Sequence, residues 1–303
     1  MPNIYDYINQ ICEIPDFLNK YLKVNILVRL KEVGYFCGMD YASKNIYDFK
    51  YLISRYDHSL STALLTWRYS NDQKQTIAAL FHDISTPCFS HVIDYMNKDY
   101  ATQESTENKT EEIINTSKEL KELLKEDNLT IKDIINYKNC PIVDNHRPKL
   151  CADRLDGIIL TSLAWTKKLE LDEIPEILDN TQIYRNESNI KEIGFKNKKI
   201  ANKIVKLNNY INKYCHSKED NYMMNLLADL TSYCIEHNKF TYDDLYTKTE
   251  KEILSIFTKI KDEDFQELYN KFLNIKLNEI PLIKLPYIKE RIINPLVKGE
   301  RLQ

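Results

Sequence analysis

The sequence predicts an all-α protein with a mainly helical C-terminal extension and at most a token of sheet, one short hairpin, and three observations predict it. Apolar residues recur at helical spacing along most of the 303-residue chain. Helix-capping residues (Asn71, Asp72) and a terminal glycine (Gly34) punctuate those runs. A single stretch, "NIKEIGFKN" (189–197), reads as a short strand.

In chain order, "DFLNKYLKVNILVRLKEVG" (16–34) predicts a long helix that stops at Gly34, and "HSLSTALLTWRYS" (58–70) predicts the next. "NDQKQTIAALFHD" (71–83) starts on Asn71 or Asp72 and turns wholly apolar towards its end, where His82 and Asp83 sit. Residues 84–87 break it, and "CFSHVIDYM" (88–96) starts another helix. "TENKTEEIINTSKELKELLKED" (106–127) is charged but amphipathic, with Ile113, Ile114, Leu120 and Leu123 on its apolar side, as in a helix with a solvated outer face. "KLCADRLDGIILTSLAW" (149–165) predicts a central buried helix, and helices are expected again over 198–216 and 220–237. "KLPYIKERIINPLV" (284–297) is broken by prolines and is expected to be irregular or extended. Neither a linker nor a repeat is evident. Only a soft boundary is drawn, with 1–185 as a core domain and 186–303 as a helical C-terminal subdomain packed on it.

Composition excludes several classes. The chain has 42 basic and 45 acidic residues, a net charge of −3, which gives no electrostatic basis for general nucleic-acid binding. Seven scattered cysteines include no CxxC pair, as expected of a reduced cytoplasmic protein. No apolar run has the length of a membrane span, and the N-terminus does not read as a signal peptide. With five glycines and neither GxGxxG nor GxxxxGK, phosphate chemistry would have to use a metal or side chains.

His82 and Asp83 raise the central question, because a charged pair at the apolar end of a helix is expensive to bury. An isolated histidine in a helix is more often a hydrogen-bonded core residue. The combination with His58 in "SRYDHSLS" and Asp153 in "CADRLDG" points further. Two imidazoles and two carboxylates make a mixed N/O set suited to one divalent ion with open positions, such as Mn, Fe, Mg, Ni or Co. Such an ion would justify the polar pair.

The pieces "RYDHSL…ALFHDIS…FSHVID…CADRLD", in this order, resemble the HD-domain metal-dependent phosphohydrolases, in the branch that contains the deoxynucleotide triphosphohydrolases. The resemblance runs with gaps from about Arg29 to Trp165, and more weakly to "IKERIINPLV", which is similar to the family's closing basic segment. It implies an HD-domain helical bundle, one metal held by His58, His82, Asp83 and Asp153, and hydrolysis of a phosphate ester or anhydride by activated water. It also implies that Arg55 contacts a substrate phosphate, with a surface salt bridge as the alternative. His91 and Asp94 match a family histidine and aspartate beside the phosphates. Three apart on a helix, they share a face, so Asp94 would orient a catalytic His91. Arg154 matches a basic substrate-binding position; its alternative is an ion pair with Asp57 or another carboxylate.

Departures accompany the resemblance. Where the family reads HD-x-GH, this chain has Thr86 in place of the histidine. Gln103-Glu104 stands where a His-Glu pair is usual, Gly157 follows Asp156 where a tyrosine is common, and Thr161 replaces an aspartate. Gly157 lies one turn beyond Asp153 and leaves room for a ligand or a neighbouring aromatic ring. These changes put deoxynucleotide triphosphohydrolase activity in doubt. His146 is the remaining candidate for a second metal. The expected function is metal-dependent hydrolysis of a nucleotide or related small phosphate ester, in a cytoplasmic protein with no membrane partner and an open question of homo-oligomerisation. The alternative is a non-catalytic nucleotide-binding or regulatory protein.

Overall fold

The computed structural model describes residues 3–282 and 287–302 and is mainly helical, with sixteen α-helices and one small sheet among those residues. The centre is the helix Arg55–Ser70, on which Arg55 to Thr66 are all buried. It packs against the helices Tyr5–Ile11, Gln73–Leu80 and Ala152–Ala164. Its start is specified locally: Asp57 N–H donates to Ser54 Oγ (3.2 Å) and Ser54 N–H donates to Asp57 Oδ2 (2.8 Å), a closed capping box. Its end is Asn71, in the left-handed region at φ 50°, whose N–H returns to the Trp67 carbonyl at 2.9 Å. Asp72, not Asn71, caps the following helix, accepting from Gln75 N–H at 3.0 Å.

Two expected helices are broken. Residues 16–34 form two single turns, Leu18–Tyr21 and Asn25–Val28, then a 3-10 turn, Arg29–Glu32. The buried residues there are Leu18, Tyr21, Val24, Leu27, Leu30 and Val33, a strict spacing of three. Three is the period of a 3-10 helix and drifts off the face of an α-helix, so the run buries itself as short turns. Residues 106–127 are interrupted at Ser117, whose hydroxyl accepts from Leu120 N–H at 3.2 Å and starts a new helix, Lys118–Glu126.

The expected strand is present as β2, Lys191–Phe195, and has a partner that periodicity did not show, β1, Thr181–Arg185. They pair antiparallel from Thr181↔Phe195 to Arg185↔Lys191, so residue 185, the expected domain boundary, lies within a hairpin. β3, Leu296–Val297, adds parallel to β2, and β4, Glu300–Arg301, adds antiparallel to β3. Of the segment 284–297, residues 284–286 lie outside the described residues, and 287–295 contain no helix. The sheet buries Glu192, which pairs with Arg301 at 2.6 Å and accepts from Leu150 N–H at 3.3 Å. The last strand thus braces the loop that leads into the Ala152–Ala164 helix.

The C-terminal helices also clamp the turn after Asp83. Cys88 N–H donates to the Leu245 carbonyl at 2.7 Å, and Phe89 N–H donates to Glu250 Oε1 at 2.9 Å. Phe89 and Ser90 are non-glycine residues in the left-handed region (φ 62° and 46°), so this turn needs external anchors. Glu250 has no exposed surface, and its Oε2 and both oxygens of Asp40 lack partners. Both acids crowd Gly34, where an added Cβ would fall 2.7 Å from Asp40 Oδ2 and 3.1 Å from Glu250 Oε2.

Burial raises Asp40 to about 6 and Glu250 to about 7. The folded chain therefore binds more protons than the unfolded one, and this contribution is complete below the ordinary value of 4.5 for Glu250 and lost as pH rises through about 7. Thermal melts between about pH 5 and 8 should show Tm falling with pH. Glu250→Gln, which keeps the acceptor for Phe89, should flatten that slope; equal slopes would show that Glu250 is ionised throughout.

Candidate metal centre

Three segments converge on one point. The capping box sets His58 in the first turn of Arg55–Ser70. His82 follows the end of Gln73–Leu80, and its Nδ1–H donates to the Ala79 carbonyl at 2.7 Å, satisfying one of the helix's terminal acceptors. Asp153 lies in the first turn of Ala152–Ala164, where the backbone of residues 142 and 143 receives the leading N–H groups (Ala152 to Ile142 at 2.8 Å, Asp153 to Val143 at 3.2 Å).

The ligand atoms of His58, His82 and Asp83 lie within 4.8 Å of one another. Asp153 Oδ1 is 3.1 Å from His58 Nε2 and 3.6 Å from His82 Nε2, and His82 Nε2 is 3.6 Å from Asp83 Oδ1. Both histidines are tied through Nδ1, His58 to Asp156 Oδ2 at 2.7 Å and His82 to Ala79, so each presents Nε2 to the carboxylates. His82 Nε2 is buried without a hydrogen-bond partner. An orphaned imidazole nitrogen facing two carboxylates is costly in an apolar core and is the arrangement a divalent cation satisfies. The residues therefore fit a metal. Burial would lower the pKa of His58, but hydrogen bonds to Asp153 and Asp156 lift it to about 10. Burial would raise Asp83, but His82, Arg55 and His58 hold it at about 2. The centre is a tightly coupled, highly charged cluster.

Around it lies a cavity of about 710 Å³. Arg55 lines it, buried: Nη1 donates to Asp83 Oδ2 at 2.9 Å and Nε to Ser90 Oγ at 3.1 Å, with the guanidinium 5.0 Å from the centre of the Tyr35 ring. Its ion pair is thus internal to the site, and among the described residues Nη2 makes no hydrogen bond. His91 lines the cavity with Nδ1 bonded to Asp94 Oδ2 at 2.8 Å, while Asp94 Oδ1 accepts from Ser105 N–H at 3.0 Å. Arg154 also lines it, but its guanidinium donates to the carbonyls of Lys149 and Asn145 and lies 3.7 Å from Asp144. Asp57, its suggested partner, is used in the capping box.

Thr86 and Thr161 face the cavity, and Gly157 is not an opening in its wall. A Cβ there would lie 3.1 Å from the Tyr35 hydroxyl, so the room left by the glycine is taken by a neighbouring aromatic ring. Exposed His146 lies on the rim, while the second cluster of ligand-type atoms among the described residues, Asp144, Cys151 and Asp153, includes no histidine. The cysteines are free.

Sequence reading missed Asp156, Tyr35, Arg147, Lys289 and Arg291. Asp156 had a signal, its i+3 spacing from Asp153. The two C-terminal cations had only the weak basic segment. Burial, with Arg154 and Arg291 nearby, depresses Arg147 to about 10, and burial with Arg147 and Arg291 lowers Lys289, so like charges are crowded on this wall.

A family model of the HD domain matches residues 55–161. The chain is 25% identical over 227 residues to the uncharacterized protein YdhJ of Bacillus subtilis, covering 72% of this chain and 65% of the relative. It is 25% identical over 132 residues to the metal-dependent phosphohydrolase cns2 of Cordyceps militaris, covering 44% of this chain and 37% of that protein. It therefore spans less than two thirds of either relative. Among solved structures, a hypothetical protein from Aquifex aeolicus superposes with a TM-score of 0.61 at 15% identity, over 86% of this chain and 71% of the other. A phosphohydrolase from Bacteroides thetaiotaomicron gives 0.55 at 13% identity, over 86% and 74%. These likenesses establish the fold. The chain carries an HD domain, which spans residues 55–161 and contains all four residues that gather at His82.

Proposed function

We propose that this protein is a metal-dependent phosphohydrolase acting on a nucleotide or related small phosphate ester. The observation that carries the reading is the buried, unpartnered Nε2 of His82 beside Asp83 and Asp153, within a cavity that Arg55, Arg147, Arg154, Lys289 and Arg291 also line. His58, His82, Asp83 and Asp153 would hold one divalent ion. When bound, such an ion polarises a phosphoryl oxygen and activates water near neutral pH.

The remaining steps fall to side chains. Arg55 has Nη2 free, and a planar guanidinium fixed on two sides can hold a phosphoryl oxygen next to the centre. Arg147 is crowded by Arg154 and Arg291, and Lys289 by Arg147 and Arg291, a repulsion that a multiply charged anion in the cavity relieves. Asp94 accepts a hydrogen bond from His91 Nδ1–H and so favours the imidazolium form of His91, whose Nε2–H would be the proton passed to the leaving oxygen. Thr86, in place of the usual histidine, has no comparable proton to give. Turnover of a broad phosphate panel with Mn, Mg, Co, Ni and Fe tests the proposal. No turnover by metal-loaded protein would favour a non-catalytic binding role.

Purified protein should hold about one divalent ion per chain, as one mixed His/Asp set does. Replacing His82 and Asp83 together with alanine should remove it; unchanged metal by elemental analysis would refute the assignment. Stripped protein should also melt earlier. Arg55→Ala should lower kcat/KM by roughly 10- to 100-fold, the loss of a charge-assisted hydrogen bond of about 1.5–3 kcal/mol, and lysine should recover little. Equal activity in all three proteins would make Arg55 a structural partner of Asp83. His91→Ala should slow alkyl phosphate hydrolysis by about 10²- to 10⁴-fold and p-nitrophenyl phosphate hydrolysis far less, because phenolate leaves unaided. Equal losses would assign His91 to phosphate contact or packing.

A further inference from the structure

The cavity extends away from the metal centre along a run of aromatic rings. Tyr35 stands 5.1 Å from His58 and 5.2 Å from Phe36, centre to centre; Phe36 stacks on Phe49 at 4.2 Å, and Phe49 on Tyr47 at 5.6 Å. At the far end the Tyr47 hydroxyl donates to Asp220 Oδ1 at 2.8 Å. Asp220 is 8% exposed and lines the cavity.

Its placement departs from what its sequence specifies. "SKED" (217–220) spells the same Ser-x-x-Asp capping box as Ser54 to Asp57. Ser217 does accept from Asp220 N–H at 3.1 Å, but the Asp220 carboxylate does not return to Ser217 and the box stays open. The carboxylate turns to Tyr47 through Oδ1, and among the described residues Oδ2 accepts no hydrogen bond. Arg291 lines the same end. It donates to Gln103 Oε1 at 3.2 Å, forms no ion pair with Asp220, and is near enough for Asp220 to help raise its pKa. The Asp220 carboxylate and the Arg291 guanidinium, which has N–H groups beyond those given to Gln103 and to the Lys289 carbonyl, thus line the cavity where the aromatic run ends, without pairing with each other. Burial lifts Asp220 to about 7 even though the Tyr47 hydrogen bond and the Arg291 charge lower it.

We infer that this slot binds a planar heterocycle by its lactam or imide edge, with Asp220 accepting the ring N–H and Arg291 donating to the adjacent carbonyl. The inference rests on the phosphohydrolase reading above and narrows its substrates to phosphates attached to such a ring. A site built to bond an N–H rejects a ring that lacks it, because the buried acceptor is then left unpaired.

The test is calorimetric binding of uridine 5′-monophosphate and guanosine 5′-monophosphate to the metal-loaded protein, against their N3-methyl and N1-methyl counterparts. Methylation should weaken binding by about 10- to 100-fold, the loss of one hydrogen bond to a charged group. Asp220→Asn, which keeps an acceptor for Tyr47 but turns the second position into a donor, should abolish that discrimination. Equal affinity for methylated and unmethylated rings in the unaltered protein, a comparison that needs no variant, would overturn the slot. Discrimination that persists in Asp220→Asn would overturn the role of Asp220. Hydrolysis of ring-free phosphate esters without binding of any nucleotide would overturn the slot and leave the hydrolase reading intact. Discrimination without turnover of any phosphate would support the slot and overturn the hydrolase.

Discussion

The carboxylate of Asp156 has no exposed surface, and it takes hydrogen bonds from the Tyr7 hydroxyl at 2.6 Å, the Ser61 hydroxyl at 2.7 Å and His58 Nδ1 at 2.7 Å. An uncompensated carboxylate in that position would cost roughly several kcal/mol. Three short donors offset the cost, and they come from two helices besides its own. Tyr7, whose pKa burial and Asp156 hold well above its ordinary value, is a dependable donor and ties the N-terminal helix to the centre. Burial of one anion thus fixes three helices relative to one another and also sets which nitrogen of His58 faces the metal position. Fold and site share this constraint, so neither can be altered there without the other.

The four residues proposed as metal ligands could be picked out in the sequence because metal chemistry restricts residue type and the HD pattern restricts order. The residues that support them were not, because their partners lie far away in the chain: Tyr7 is 149 positions from Asp156, and Arg291 is 188 from Gln103. The helices near the site were readable from caps and periodicity. Residues 16–34 misled for a physical reason, since a spacing of three looks helical in a short window although one continuous α-helix does not keep six such positions on one face. Outside partners then hold those turns: Glu119 accepts from Asn25 N–H at 3.0 Å, and Asp127 binds Lys20 and Tyr21. The strand partner β1 was hidden because its alternation is weak, with one residue fully buried and three intermediate.

The turn after Asp83 shows how the C-terminal half bears on the chemistry. Ser90, which accepts from Arg55 Nε, also donates to the Gly34 carbonyl at 3.2 Å, and its neighbour Phe89 is held by Glu250. The left-handed backbone at 89 and 90 brings Ser90 to Arg55 and starts the helix Val92–Met96, whose N-terminal flank is His91. A residue late in the chain therefore positions two groups of the HD domain by way of one backbone hydrogen bond.

Gly157 joins these constraints. A glycine inside a buried helix costs about 1 kcal/mol relative to alanine, and here the cost has a specific return in geometry. Because no Cβ stands at 157, Tyr35 reaches over the helix to sit 5.0 Å from the Arg55 guanidinium and 5.1 Å from the His58 ring. The ring over Gly157 comes from residue 35, on a segment held against the strained turn where Ser90 donates to the Gly34 carbonyl. Tyr35 N–H donates to the Ile53 carbonyl at 2.9 Å, next to the Ser54 cap that sets His58. The ring that stands over Gly157 and beside His58 is thus also the first ring of the aromatic slot.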